Sequence, residues 1–334
     1  MIWDLHAHLA GVGTQGSGNQ LSPRFRRSFA FRHFLRRLGL TPQIVDAPDC
    51  DAQIAHLIVA QINASSLDRV VLLAFDAAYH EDGTRDGDRT LMVTDNDFVA
   101  DLAAANSKVC FGASIHPARP DALPELERLI AKGACLVKWL PGAQNIQPDH
   151  PRCFPFYEML AKHRVPLLSH TGPEHTLKAF PDSLNDPQRL VPALELGVTV
   201  IAAHCGANLY LHETSHFAAW QRLALRHPNL YGDLSAFGVI TRIWRLRSLH
   251  QSPQLMAKCV HGSDFPVTPL PLSCLGAIGL GAALRVRRIG NPFDQSLELM
   301  RSAGLPADAF TRAEQLLRIP EGKLLPAVAP AILS

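Results

Sequence analysis

Long apolar runs are missing from this sequence. Although 47% of its 334 residues are hydrophobic, no stretch suits a membrane span. The chain does not open with a basic segment followed by an apolar run, so no secretory leader is expected. Net charge is also nearly absent. The balance of +2 at pH 7 gives no basic surface of the kind that nucleic acid selects. The seven cysteines are odd in number, scattered, and without a Cys-x-x-Cys pair. Cys110, Cys135 and Cys259 lie inside apolar runs, so buried, reduced thiols in a cytoplasmic protein are the expectation. No Gly-x-Gly-x-x-Gly follows an early strand, which removes the signature of a dinucleotide-binding open sheet. No internal repeat and no linker divides the chain. These absences leave one soluble domain, residues 1–334, long enough to bury a full core.

What is present is a rhythm. Short apolar runs occur at 1–5, 69–75, 109–115, 134–140, 165–169, 198–203, 229–235 and 258–262. Helical patterns separate most of them, near 52–64, 96–105, 123–132, 156–163, 187–196 and 217–226, with closing helices at 294–302 and 307–317. Continuous apolar strands spaced by helices imply a parallel sheet. Eight of them predict an α/β fold closed as a (β/α)8 TIM barrel. Residues 10–65 form an insertion after the first strand. It opens on a loop with Gly11, Gly13, Gly16 and Gly18. Over 24–40, Arg24, Arg26, Arg27, Arg32, Arg36 and Arg37 interleave with phenylalanines, and no acidic residue occurs. That spacing predicts one amphipathic helix with a basic face. The Pro/Ala-rich tail at 324–334 is expected to pack loosely.

The chemistry begins at Asp4-Leu5-His6-Ala7-His8. Residues i and i+2 of a strand share a face, so His6 and His8 project together, as a transition metal requires. Alone, such a pair reads as two polar loop residues. Three later strands also end in metal-capable residues: His170, His204 and Asp264. In a barrel the C-terminal strand ends form one rim, and active sites are built there.

Asp-Leu-His-Ala-His at 4–8, Ser-His-Thr-Gly at 169–172, Ala-His-Cys-Gly at 203–206 and His-Gly-Ser-Asp-Phe-Pro at 261–266, in this order, resemble the amidohydrolase superfamily. The closer resemblance is to its amidohydrolase 2 branch, which includes relatives of aminocarboxymuconate-semialdehyde decarboxylase. His-Pro-Asn-Leu-Tyr-Gly-Asp-Leu-Ser at 227–235 resembles that branch's segment at the seventh strand. The resemblance implies a divalent ion, zinc first among candidates, held by His6, His8, His170 and Asp264. It implies that Asp264 also accepts a proton. His204 would ligate a second metal, or act as acid/base and polarise the substrate. Lys138, at the end of the fourth strand, has two readings. Carbamylated, it would bridge two metals. As a plain cation it would bind a substrate carboxylate or pair with Asp264, and the resemblance favours this reading with one ion.

The reaction implied is hydrolysis, in which hydroxide generated at the metal attacks a lactone, amide or ester of a small anionic molecule. The alternative is non-oxidative decarboxylation of an unsaturated or aromatic acid with the same ligands. His116, Glu174 and Lys138 are the expected pocket residues for a small-molecule substrate. His116 before Pro117 reads equally well as structural, and for Glu174 a solvated loop position is the default reading. His261 is expected on the opposite strand face from Asp264, and Asp233 either orients a ligand histidine or caps a turn. The segment 11–40 leaves the first strand directly after two metal-capable histidines. A mobile basic cover is expected there, with Arg24, Arg26 and Arg27 clamping the anionic substrate. The other reading turns the arginines to solvent and packs the phenylalanines on a second subunit of a homo-oligomer.

Overall fold

The eight apolar runs become eight parallel strands in the computed structural model, which describes residues 1–239 and 241–319. The tail at 324–334 lies outside the described residues. The strands are β1 (Trp3–His8), β2 (Arg69–Leu73), β3 (Val109–Ala113), β4 (Leu136–Trp139), β5 (Leu167–His170), β6 (Val200–Ala203), β7 (Leu230–Asp233) and β8 (Cys259–Val260). They pair in chain order, as right-handed strand–helix–strand crossovers dictate. Between β8 and β1 single backbone bonds close the ring. Leu5 N donates to His261 O at 3.3 Å, His8 N to Phe265 O at 2.8 Å and Asp264 N to His6 O at 2.8 Å. Asp4 Oδ1 adds a stitch by accepting from Ser263 N at 2.9 Å.

The barrel interior is packed. Trp3, Leu5, Val71, Leu73, Leu136, Leu168, Ile201 and Val260 fill it, and Ala313, Leu316 and Leu317 from the C-terminal segment seal one end. Alternate strand residues, such as Val70, Leu72, Phe111 and Val137, join the larger layer beneath the helices.

β1 carries one extra residue. Asp4 lies opposite Val70, yet Ala7 lies opposite Leu72, so Leu5 and His6 together face Val71. This β-bulge matters for the site. Leu5 belongs to the barrel interior and Ala7 to the outer layer. Strict alternation after Leu5 would turn His6 outward; the bulge lets both face inward.

Several local expectations need correction. The run 24–40 is two helices, Pro23–Arg26 and Phe29–Arg37. Ser28 divides them, because its side chain accepts from Phe31 N at 3.1 Å and caps the second. Residues 307–317 likewise divide into Ala307–Thr311 and Ala313–Leu316. A helix at Leu275–Arg287 was not foreseen, because Gly276, Gly279 and Gly281 disguise it. The strand Gln20–Leu21 pairs antiparallel with Met92–Val93, tying the segment after β1 to the segment after β2. Phe25, Phe31 and Phe34 sink into the main core, while Phe29 is 77% exposed. The Gly-rich loop closes on the Asp51 carboxylate, which accepts from Val12 N, Gly13 N, Ser17 Oγ and Asn19 Nδ2. A Cβ on Gly11 would fall 2.4 Å from Asn19 Nδ2, so only glycine passes there. All seven cysteines are buried. Among the described residues, no helix is long and apolar enough to cross a membrane.

Candidate metal centre

β1 delivers His6 and His8 with their Nε2 atoms 3.1 Å apart. Both face Asp264, whose Oδ1 lies 3.3 Å from His6 Nε2 and 3.2 Å from His8 Nε2. The three residues offer donor atoms that all lie within 4.8 Å of one another. Two imidazole nitrogens and a carboxylate oxygen suit a first-row divalent ion.

His170 and His204 flank this group. Their rings meet edge-on at 5.0 Å, and His204 stacks on His6 at 5.6 Å. His204 Nε2 is 3.9 Å from Asp264 Oδ2. His170 Nε2 is buried without a hydrogen-bond partner among the described residues, although Glu174 Oε2 lies 3.4 Å away. A buried unsatisfied ring nitrogen is costly, and a nearby cation would satisfy it. The residues present therefore fit a metal ion.

Asp233 organises the histidines. Its Oδ2 accepts from His6 Nδ1 at 2.7 Å, and its Oδ1 accepts from His204 N at 2.9 Å. With its proton on Nδ1, His6 turns the Nε2 lone pair towards the centre. His204 Nδ1 is matched to the Ser235 carbonyl at 3.0 Å, which orients its Nε2 likewise. His204 and Asp264 adopt left-handed backbone, with φ of 58° and 60°. For non-glycine residues that costs roughly 1–2 kcal/mol each. The bonds from His204 N to Asp233 and from Asp264 N to His6 O help hold the strain in place.

The electrostatics suit ligation. Burial pushes the His6, His170 and His204 rings down towards the neutral form, His170 to about 4. Burial alone would raise the Asp264 carboxyl, but the facing rings of His204, His6 and His8 hold it well below the ordinary carboxylate range. Lys138, on β4, places Nζ 3.2 Å from His6 Nε2. Burial lowers its amine to about 8, against the pull of Asp233, Asp264 and Glu174.

Other expected pocket residues are placed as follows. Both His116 nitrogens are occupied, Nε2 by Gln144 O at 2.9 Å and Nδ1 by Ala118 N at 3.0 Å. Glu174 is buried beside His170 and accepts from Thr176 N and Leu177 N. Arg24, Arg26 and Arg27 are exposed, and Arg26 pairs with Asp46 at 2.5 Å. His261 points away from the centre and packs on Phe310 at 5.2 Å. Arg242, buried and with Nε unpartnered among the described residues, was not singled out from the sequence. It sits in a run with Arg245 and Arg247 that reads as an ordinary solvated face, and nothing local sets it apart.

The amidohydrolase family model matches residues 4–278. The chain belongs to the amidohydrolase-2 family. This family is metal-dependent, and the His6, His8 and Asp264 group gives this chain donor atoms that could hold an ion. Its fold is similar to that of an uncharacterised TIM-barrel protein from Bordetella bronchiseptica, with 18% identity, a TM-score of 0.57, and coverage of 91% of this chain and 100% of that one. It is also similar to a protein assigned as a 2-pyrone-4,6-dicarboxylic acid hydrolase from Pseudomonas putida, at 14% identity and TM-score 0.56, covering 95% and 94%. A third similar fold is 5-carboxyvanillate decarboxylase from Sphingomonas paucimobilis, at 14% identity and TM-score 0.55, covering 96% and 99%. No curated protein matches this chain.

Proposed function

We propose that this amidohydrolase uses one divalent ion, zinc, to hydrolyse a lactone, amide or ester of a small carboxylated molecule. The observation that carries the reading is the convergence of His6, His8 and Asp264 donor atoms within 4.8 Å at the rim of the barrel. His170, with its unpartnered Nε2, completes the ligand set. When bound, the ion supplies Lewis acidity and lowers the pKa of water to about 7. Asp264, held ionised, takes the proton released as water adds to the carbonyl carbon. His204 Nε2, 3.9 Å from Asp264 Oδ2, is the next acceptor and returns the proton to the leaving group. Asp233 keeps the His6 imidazole in the productive tautomer, and the Ser235 carbonyl does the same for His204. Lys138 is a plain cation that draws the substrate carboxylate towards the centre.

A second reading, decarboxylation of an aromatic acid, is supported by the likeness of the fold to 5-carboxyvanillate decarboxylase. There Asp264 would first take a proton from water or from the acid as it binds, and then pass it to the ring carbon as the bond to the departing carbon dioxide breaks. Elemental analysis and product analysis test both. We expect one metal per chain, loss of metal and turnover in His6→Ala/His8→Ala, and acid released without carbon dioxide. Full activity after exhaustive chelation would overturn the proposal. A ratio of two would favour a carbamylated Lys138, and carbon dioxide release would favour the second reading.

A further inference from the structure

The near-zero total charge conceals an uneven distribution. Residues 5–45 hold six arginines and no acidic residue. Residues 234–293 hold six arginines and one lysine, and their one acid, Asp264, is buried in the metal centre. Elsewhere in the chain acidic residues outnumber basic ones. The fold sets the two basic stretches side by side. His33 Nε2 meets Thr268 Oγ1 at 3.1 Å, which joins the helix Phe29–Arg37 to the segment after β8.

Exposed apolar side chains gather on the same side. Of the twelve large hydrophobic residues that are exposed among the described residues, eight lie in these two stretches. Phe29 is 77% exposed and Leu280 62%, and Trp244, Leu270, Leu275 and Leu284 are exposed as well. They are neighbours. Phe29 stacks on His33 at 6.3 Å, and a Cβ on Gly276 would collide with the Trp244 ring. Leu280, Leu284 and Arg287 share one face of the helix Leu275–Arg287, and Phe29, Arg32 and Arg36 share one face of the helix Phe29–Arg37. Each helix therefore presents an apolar patch edged by guanidinium groups. Arg285 pairs with Glu298, whereas Arg32, Arg36, Arg287 and Arg288 make no ion pair among the described residues.

An apolar patch of this extent on a soluble protein marks a docking surface. A second copy of the chain fits it poorly. A two-fold dimer sets such a face against itself, so arginine would meet arginine, and neither helix carries an acid to intervene. We propose that this face docks the protein on an anionic lipid surface. No spanning helix is needed for that. The leucines, Phe29 and Trp244 enter the boundary between headgroups and acyl chains, while the arginines meet the lipid anions. Tryptophan suits that boundary, being apolar in its body and polar at one edge. The acidic excess on the rest of the chain turns the other faces away from the lipid, which fixes one orientation. The inference does not depend on which reaction the metal centre runs.

Trp3, Trp139 and Trp220 are fully buried, so Trp244 is the surface reporter. Metal-loaded protein is mixed with vesicles of equal parts phosphatidylcholine and phosphatidylserine, and with vesicles of phosphatidylcholine alone. Co-sedimentation gives affinity, and tryptophan emission reports insertion. We expect binding to the charged vesicles only, a blue shift on binding, and release in high salt. Replacing Arg32, Arg36, Arg287 and Arg288 with glutamine should weaken binding by about fivefold per arginine. Leu280→Gln/Leu284→Gln should weaken it by about tenfold or more and remove the blue shift, with native Tm and metal content. Should the leucine variant melt lower, Phe29→Ser carries the same comparison, with a loss of at least about threefold. No binding to charged vesicles, equal binding to both kinds, binding without a blue shift, or binding that survives the apolar changes would each overturn the inference. So would competition by soluble glycerophosphoserine, which would make this a site for a free headgroup. A native dimer that falls to monomers in the leucine variant would assign the face to a second copy instead. Trp244 shielded from acrylamide before lipid is added would show that the chain covers the face itself.

Discussion

His116 shows how a single residue is judged by what its ring atoms touch. In the sequence it ends a strand, which makes it a pocket candidate; in the fold both nitrogens are bound to backbone. Burial, chiefly, holds its ring down at about 3 against an ordinary 6.5. The folded protein therefore refuses a proton that the unfolded chain accepts once pH drops below about 6.5. Stability owed to this residue is complete above that value. It declines by up to about 1.4 kcal/mol per pH unit as pH falls towards 3. In urea titrations near pH 7.5 and near pH 5, the gap between native protein and His116→Asn should narrow at the lower pH. A gap of constant width would mean that the folded ring titrates normally. His6, His8, His170, His204 and Asp264 were legible because each closes an apolar run and the motifs occur in one order. Arg242 was not, since its distinction is a missing partner, and a missing partner exists only in three dimensions.

Elements were legible where they are long and uniform. The alternation of apolar runs and helices gave all eight strands to within a few residues. It could not give the bulge in β1, which depends on how Val71 meets Leu5 and His6 across the sheet. Nor could it divide 24–40, where helical periodicity continues through Ser28 although its hydroxyl caps the second helix. The insertion is held by side chains far apart in sequence. Asp51, 2% exposed, gathers Val12 N at 2.6 Å, Gly13 N at 3.0 Å, Ser17 Oγ at 2.5 Å and Asn19 Nδ2 at 3.0 Å. Any hinge motion of the loop must break these bonds together. Asp51→Ala should therefore cost at least about 1–3 kcal/mol and open residues 11–19 to limited proteolysis, with metal content unchanged. Native resistance to protease in that variant would show that the clamp is unimportant.

At the scale of the molecule the weak place is the seam. Each strand from β1 to β8 is joined to the next by a ladder, whereas β8 meets β1 through three backbone bonds and the stitch from Asp4. The proposed ion bridges that seam, because His6 and His8 come from β1 and Asp264 follows β8. Chelation should lower Tm and speed amide exchange in β1 and β8 before β3 to β6, as expected when a ligand that binds only the folded state is withdrawn. Uniform exchange across the barrel, as seen by mass spectrometry, would refute the bridge. The same placement sets a timetable for synthesis. Of the barrel strands, β1 leaves the ribosome first and β8 last. The two histidines must wait through the making of every other strand before their aspartate arrives. Capture of the proposed ion by all three donors would then require a barrel whose ends have met, so a fully ligated ion would report that the ring was completed.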